Sequence, residues 1–344
     1  MVRRSGKYRR KLNIRKSSGD GPGAGNVFIS FLLLMTFSVF YLISYYKTKS
    51  KPRPVQVDET PLTEEDITKY YNFTQFNKTH PRLHYILSPL SVCDGFRTEN
   101  NFSRTLIIVK SSAESFHIRK WFRWNIKQQK DIDNNFKIVF LLGQSPSSSM
   151  SELIKEESKL HNDMIQGNFT DNGNITTYKT IMGFNWALKY CQNSQFLLLQ
   201  EENFKINYKN VMTFLEKEDD PESLYVGKLI RKEQTSSSNP DHVRYIPKEE
   251  YPLPFLPPYI AGGAYLVSMN VAKTLVSNFD SVKMVRVDDV FMGLVAMLSD
   301  VILVHSKKVT LENCAKFTKM LACRTFTSAE DILGAWEESF EINF

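Results

Sequence analysis

Two aspartates head an apolar run, VRVDDVFMGL, at residues 285–294. A carboxylate fixed beside a cleft can take the proton of an attacking hydroxyl, so Asp289, with Asp288 beside it, is a candidate general base. The same residues suit a plainer task, because Asp caps helix N-termini and its charge favours the helix dipole. A second polar cluster closes FLLLQEENFKIN at 196–207. Residues 196–199 read as a buried strand, and Glu201, Glu202 and Asn203 fall where it stops. Strand ends of open α/β sheets are where ligands bind. Carboxylate and amide oxygens there suit a hard cation that in turn holds a phosphorylated substrate; a polar turn is the alternative.

Three further features belong with these. In LPPYIAGGAYLVS, 256–268, Gly262 and Gly263 read as a tight loop before an apolar strand, where backbone can approach a ligand. Arg119 and Arg123 stand four apart, on one helix face, and suit either a phosphate or a structural carboxylate. His305 ends a strand, as a metal ligand or as a structural histidine. No G-x-S-x-G elbow, phosphate-binding P-loop or H-E-x-x-H pair occurs.

These residues need a scaffold that gathers them, and the pattern of apolar runs supplies one. Strands are expected at 105–110, 137–142 (closed by Gly143), 196–199, 224–230 and 301–305. Helices are expected at 114–128, 151–161, 178–190, 270–277 and 289–298. Strands alternating with helices of this length indicate an α/β fold with a mostly parallel sheet flanked by helices.

The chain has 344 residues and a formal net charge of +7. Residues 1–25 account for all of that excess, with eight basic residues against Asp20, and the remainder is neutral. A nucleic-acid-binding domain carries its positive charge on the fold itself, so no nucleic-acid partner is expected. Residues 27–46, VFISFLLLMTFSVFYLISYY, carry no charge. As a helix they span roughly 30 Å, the thickness of a bilayer core. The basic residues before them point to a cytoplasmic tail, 1–26, and a membrane signal anchor, 27–46. Residues 47–103 read as a stem and 104–344 as the domain beyond the membrane. Five sequons, at Asn72, Asn77, Asn101, Asn168 and Asn174, lie on that far side, as do all four cysteines. An oxidising lumen permits disulfides, and the spacing leaves their pairing open.

In order along the chain, LIIVKSSAESFHIRKWFR, NFTD with KTIMGFNWALKYC, YVGKLIRKE, YIPKEEYPLPFLPPYIAGGAYLVS and VDDVFMGL resemble the motifs of the β-1,3-galactosyltransferases, glycosyltransferase family 31. The resemblance covers about 104–305. It implies a GT-A-like fold, a Golgi membrane enzyme with its catalytic domain in the lumen, a UDP-sugar donor, a glycan acceptor on protein or lipid, and a divalent cation, usually Mn2+. By position it implies Asp289 as the base, with Asp288 in place of a glutamate. It places Arg119, Arg123, Asp171 and Lys179 on family positions, which with Glu202, Gly262 and Gly263 make the expected donor site, and Glu201 and Asn203 on the metal positions, with His305 expected to complete the metal shell. Where the family carries Asp-x-Asp, this chain has Glu201, Glu202 and Asn203, one anionic ligand fewer at the outer positions. Inverting transfer of galactose, or next N-acetylglucosamine, in β-1,3 linkage is the expected function. An inactive luminal relative that binds a sugar or partner is the alternative.

Overall fold

The computed structural model describes residues 83–96, 103–128, 135–171, 176–235, 242, 244–312 and 317–324. The expected tail and membrane anchor lie outside these residues, as does most of the stem. So do Asn72, Asn77, Asn101 and Asn174. Among the described residues no helix is long and apolar enough to cross a membrane.

The elements in chain order are β1 (Tyr85–Leu87), β2 (Thr105–Lys110), α1 (Phe116–Gln128), β3 (Phe136–Gln144), α2 (Ser148–His161), β4 (Met164–Thr170), α3 (Thr176–Tyr190), β5 (Phe196–Glu201), β6 (Phe204–Ile206) and α4 (Tyr208–Glu216). Then follow β7 (Tyr225–Ile230), β8 (Tyr259–Ser268), α5 (Met269–Asn278), α6 (Asp288–Leu298), β9 (Val304–His305), β10 (Val309–Thr310) and β11 (Ala322–Arg324). The main sheet has the order β1-β4-β3-β2-β5-β8-β7-β9. Its centre, β4-β3-β2-β5, is parallel, while β8 runs antiparallel to both β5 and β7. A small second sheet has the order β10-β11-β6.

Apolar cores lie on both faces of the main sheet. Along β2, Leu106 and Ile108 enter one core, and Ile107 and Val109 the other. That alternation explains why β2 and β5 are unbroken apolar runs: a strand covered on both faces has no solvent side to mark with polar residues.

The topology fixes where a ligand can sit. From β2 the chain steps outward to β3 and β4, then returns to place β5 on the other side of β2. The strand order therefore reverses between β2 and β5, and ligands of open α/β sheets bind beyond the C-terminal ends at such a point. The last residues of these two strands, Lys110 and Glu201, are register partners.

Several expectations need correcting. The fold begins before residue 104: β1 pairs with β4, and a Cys93–Cys191 disulfide ties this leading segment to the residue after α3. Cys323 is also disulfide-bonded. β3 continues through Gly143 to Gln144 rather than closing there. Gly262 and Gly263 lie inside β8, not in a loop before it. They occupy a bulge, between the β7–β8 pairs Gly227–Tyr265 and Leu229–Ile260. Bulges commonly flank active sites, where they re-aim a strand. Gly263 is required by packing, since a Cβ there would lie 2.0 Å from the Phe204 ring. The one described sequon asparagine, Asn168, is exposed on β4, and its Oδ1 accepts from the His84 backbone N–H at 2.9 Å.

Candidate active site

Helix α6 begins at the switch point and carries both aspartates in its first turn. Neither caps the helix; Val287 is the N-cap residue and makes no side-chain cap bond. The two carboxylates have different surroundings although both are buried. Asp288 is fully committed. Its Oδ2 accepts from Lys110 Nζ at 2.8 Å and from Thr180 Oγ1 at 2.6 Å, and its Oδ1 from Thr176 Oγ1 at 2.8 Å. Burial would raise its pKa, but the Lys110 ammonium and the threonine hydroxyls hold it below the usual carboxylate range. Asp288, expected beside the base in catalysis, thus has both oxygens engaged, Oδ2 holding Lys110.

Asp289 is half committed. Its Oδ2 accepts from Arg244 Nη1 at 2.8 Å and the Gly262 N–H at 3.3 Å. Its Oδ1 is shielded from solvent and has no hydrogen-bond partner among the described residues. Burial pushes its pKa up to about 6, Asp288 adds to the rise, and Arg244 opposes it. A carboxylate with an unengaged oxygen and a pKa near neutrality has the properties of a general base. Gly262 forms the adjoining wall, where a Cβ would stand 3.4 Å from Lys110 Nζ and 3.6 Å from Asp289 Cβ.

Lys110 links the two halves of the site. Its ammonium also stands 3.7 Å from Glu201 Oε1. Burial disfavours this charge, yet Asp288 and Glu201 hold it protonated, above the usual lysine range. The sequence showed Lys110 only as the last residue of an apolar strand. A charge at the C-terminal end of such a strand was the available signal. Arg244 offered none, since no apolar periodicity surrounds it in the sequence.

Behind these groups a polar frame holds the β2–α1 turn. Glu202 accepts from Ser111 Oγ, from the Ser112 N–H at 3.2 Å and from Ser115 Oγ at 2.8 Å. Burial raises its pKa, and the serine hydroxyls oppose that. Lys179 Nζ meets Asp171 Oδ1 at 2.7 Å and the Ser111 carbonyl at 2.7 Å. Arg119 grips Glu157 with two nitrogens, at 2.9 and 2.7 Å, and donates to Ser111 Oγ and the Ser112 carbonyl. Arg123 binds Asp163 through Nε and Nη2, and Glu157 through Nη1. Arg119, expected at the donor site, is thus engaged by Glu157 and by the β2–α1 turn, and Arg123 by Glu157 and Asp163.

The fit of a divalent cation rests on Glu201 and Asn203. The Glu201 side chain is 37% exposed at the end of β5. Asn203 Oδ1 is buried without a hydrogen-bond partner among the described residues. Two oxygens of this kind fit a hard cation that takes its remaining ligands from water and substrate phosphates. His305, the third expected ligand, lies on the edge strand β9. Leu199, Tyr265, Gly227 and His305 are successive partners across β5, β8, β7 and β9, which separates His305 from β5 by about 14 Å. Its Nδ1 also accepts from the Leu229 N–H at 3.3 Å. Among the described residues no group of three His, Cys, Asp or Glu could hold a metal ion.

Residues 117–307 match the sequence profile of the galactosyltransferases. The chain belongs to that family. It is a hexosyltransferase of glycosyltransferase family 31. It is 28% identical over 253 residues to β-1,3-galactosyltransferase brn of Drosophila melanogaster, covering 70% of this chain and 76% of that one. It is also 28% identical to β-1,3-galactosyltransferase 9 of Homo sapiens, covering 74% and 69%. The lactosylceramide 1,3-N-acetyl-β-D-glucosaminyltransferase of Rattus norvegicus is 29% identical over 56% of this chain and 53% of its own. The span matched to the galactosyltransferase family runs from α1 to just past β9, and so includes Asp289, Arg244 and Glu201 but not Lys110.

Proposed function

We propose that this galactosyltransferase-family member transfers a hexose from a UDP-sugar to a sugar hydroxyl with inversion, making a β-1,3 linkage. Galactose is the first choice of sugar and N-acetylglucosamine the second. The observation that carries this reading is Asp289, a buried carboxylate at the switch point with Oδ1 unengaged and a pKa of about 6. The acceptor oxygen forms a bond to the anomeric carbon as its proton passes to Asp289 Oδ1. The bond from that carbon to the diphosphate oxygen breaks, and its electron pair leaves with UDP. Attack comes from the face opposite the leaving group, hence inversion. Glu201 and Asn203 would hold a divalent cation, Mn2+ by family resemblance, which when bound offsets charge on the diphosphate as a Lewis acid. The β2–α1 turn, braced by Glu202, Lys179 and Arg119, would receive the donor. The proposed setting is the Golgi lumen, with residues 27–46 as a type II anchor and a glycoprotein or glycolipid as acceptor.

A donor screen with Mn2+, scored by UDP release, tests the reading. Galactose transfer by the wild type and its loss in Asp289→Asn are expected. Undiminished transfer by Asp289→Asn would reject the base. The reduced cation site favours a second reading, an inactive sugar-binding relative, which predicts UDP binding without release from any donor.

A further inference from the structure

Arg244 is the group that engages Asp289 from outside helix α6 and strand β8, and it is itself held from behind. Nη1 bonds Asp289 Oδ2 at 2.8 Å, and Nη2 donates to Tyr259 Oη at 2.7 Å. Nε stands 3.5 Å from Glu233 Oε1, and Tyr259 in turn donates its hydroxyl to Glu233 Oε2. The guanidinium also lies over the Tyr259 ring, 5.3 Å from its centroid. Arg244, Tyr259 and Glu233 therefore form a closed ring of polar contacts. Glu233 follows β7 and Tyr259 opens β8, so the ring is anchored to two strands of the main sheet. A guanidinium fixed in this way presents one nitrogen in one direction. It meets one oxygen of Asp289 and leaves the other untouched.

We propose that Arg244 is the positioning residue of the base: by clamping Oδ2 it fixes the carboxyl plane so that Oδ1 alone receives the acceptor proton. The inference rests on Asp289 being the base. It adds a residue whose partner lies 45 positions away in the chain. The clamp has a second effect of the same origin. The charged and titratable groups around Asp289 are Asp288 on its own helix, Lys110 from β2, Arg244, and the buried hydroxyls of Tyr225, Tyr259 and Tyr265. Lys110 is committed to Asp288, which leaves Arg244 as the cation bonded to Asp289 itself. Without it, a buried carboxylate beside Asp288 is harder to ionise, and the base titrates at higher pH.

The test is the pH profile of kcat/KM for the full chain and for Arg244→Ala, Arg244→Gln and Arg244→Lys, with UDP binding measured on each. In Arg244→Ala the acid limb should move to higher pH. Activity near neutrality should fall on the order of 100-fold, the scale expected when a reacting group is misplaced. It should recover in part under alkaline conditions, and UDP affinity should stay close to wild type. Arg244→Gln keeps a hydrogen bond but no charge and should shift the limb the same way, so the result does not depend on the alanine variant folding. Arg244→Lys should restore the limb. An acid limb in Arg244→Gln that coincides with the wild-type limb overturns the clamp. If Asp289→Asn is inactive alongside that result, the base reading stands and only the clamp falls. If Asp289→Asn transfers normally, the base reading itself is wrong.

Discussion

Lys110→Met isolates the ion pair on which the site is built. Methionine keeps the apolar stem of the lysine and removes its ammonium. Lys110 Nζ and Asp288 Oδ2 are 2.8 Å apart, with side chains 5% and 6% exposed. Removing one member of a buried pair costs about 3–5 kcal/mol, because the other charge stays buried. Asp288 keeps its bonds to Thr176 and Thr180, which places the loss near the lower bound, about 3 kcal/mol. In a domain of this size that lowers Tm by roughly 6–12 °C. The assay is thermal unfolding at neutral pH of the wild type, Lys110→Met, Asp288→Asn and the double variant. The double variant should be more stable than Lys110→Met, since it no longer buries a lone carboxylate, and the cycle should show coupling of at least about 1 kcal/mol. The sign with pH follows from the lowered pKa of Asp288. Its contribution is present above the carboxylate's unfolded pKa and is lost as pH falls through the lower folded value, so that slope should flatten in Lys110→Met. A loss below about 1 kcal/mol, or effects that simply add in the double variant, would refute the reasoning.

Arg119→Met should cost about 3–5 kcal/mol of stability in urea unfolding, and the folded fraction should bind UDP more weakly than the wild type, because Arg119 braces the turn proposed to receive the donor; unchanged UDP affinity would detach that turn from the donor site. In Glu201→Gln the Mn2+ concentration needed for half-maximal UDP binding should rise roughly tenfold, as one of two ligand oxygens loses its charge; an unchanged requirement would remove Glu201 from the cation site. Gly263→Ala should destabilise the fold by about 1–3 kcal/mol through its contact with Phe204, and Phe204→Leu should recover part of this in the same unfolding assay. For the wild type, kcat/KM should decline as pH falls through about 6, because Asp289 accepts a proton in transfer only while ionised.

The strands and helices that flank the site were largely legible from the sequence. β2 and β5 announced themselves as unbroken apolar runs because both their faces are buried. Acids at the start of an apolar helical pattern marked α6. β4 was missed because the buried Gln166 and Gly167 interrupt its apolar pattern, and the strand turns to solvent at Asn168. β8 was misjudged at its start, since two glycines after two prolines signal a turn locally. Only neighbours on both sides, β5 and β7, make that stretch a bulged central strand.

The sequence by itself determined the α/β class, the two acidic clusters and, through the order of its motifs, the family. Those features are local: they follow from apolar periodicity and from residue types at short spacing. Tertiary structure decided what each polar group does. Lys110 and Asp288 are 178 positions apart, Arg119 and Glu157 are 38 apart, and Arg244 and Asp289 are 45 apart. A carboxylate becomes a base or a strut according to which cation reaches it, and that is set by how strands and helices cross. Asp288 and Asp289 are adjacent and chemically identical, yet one is saturated and the other keeps an unengaged oxygen. Burial in a low-dielectric interior turns that difference in partners into a large difference in proton affinity, because there each missing hydrogen bond or counter-charge is felt in full.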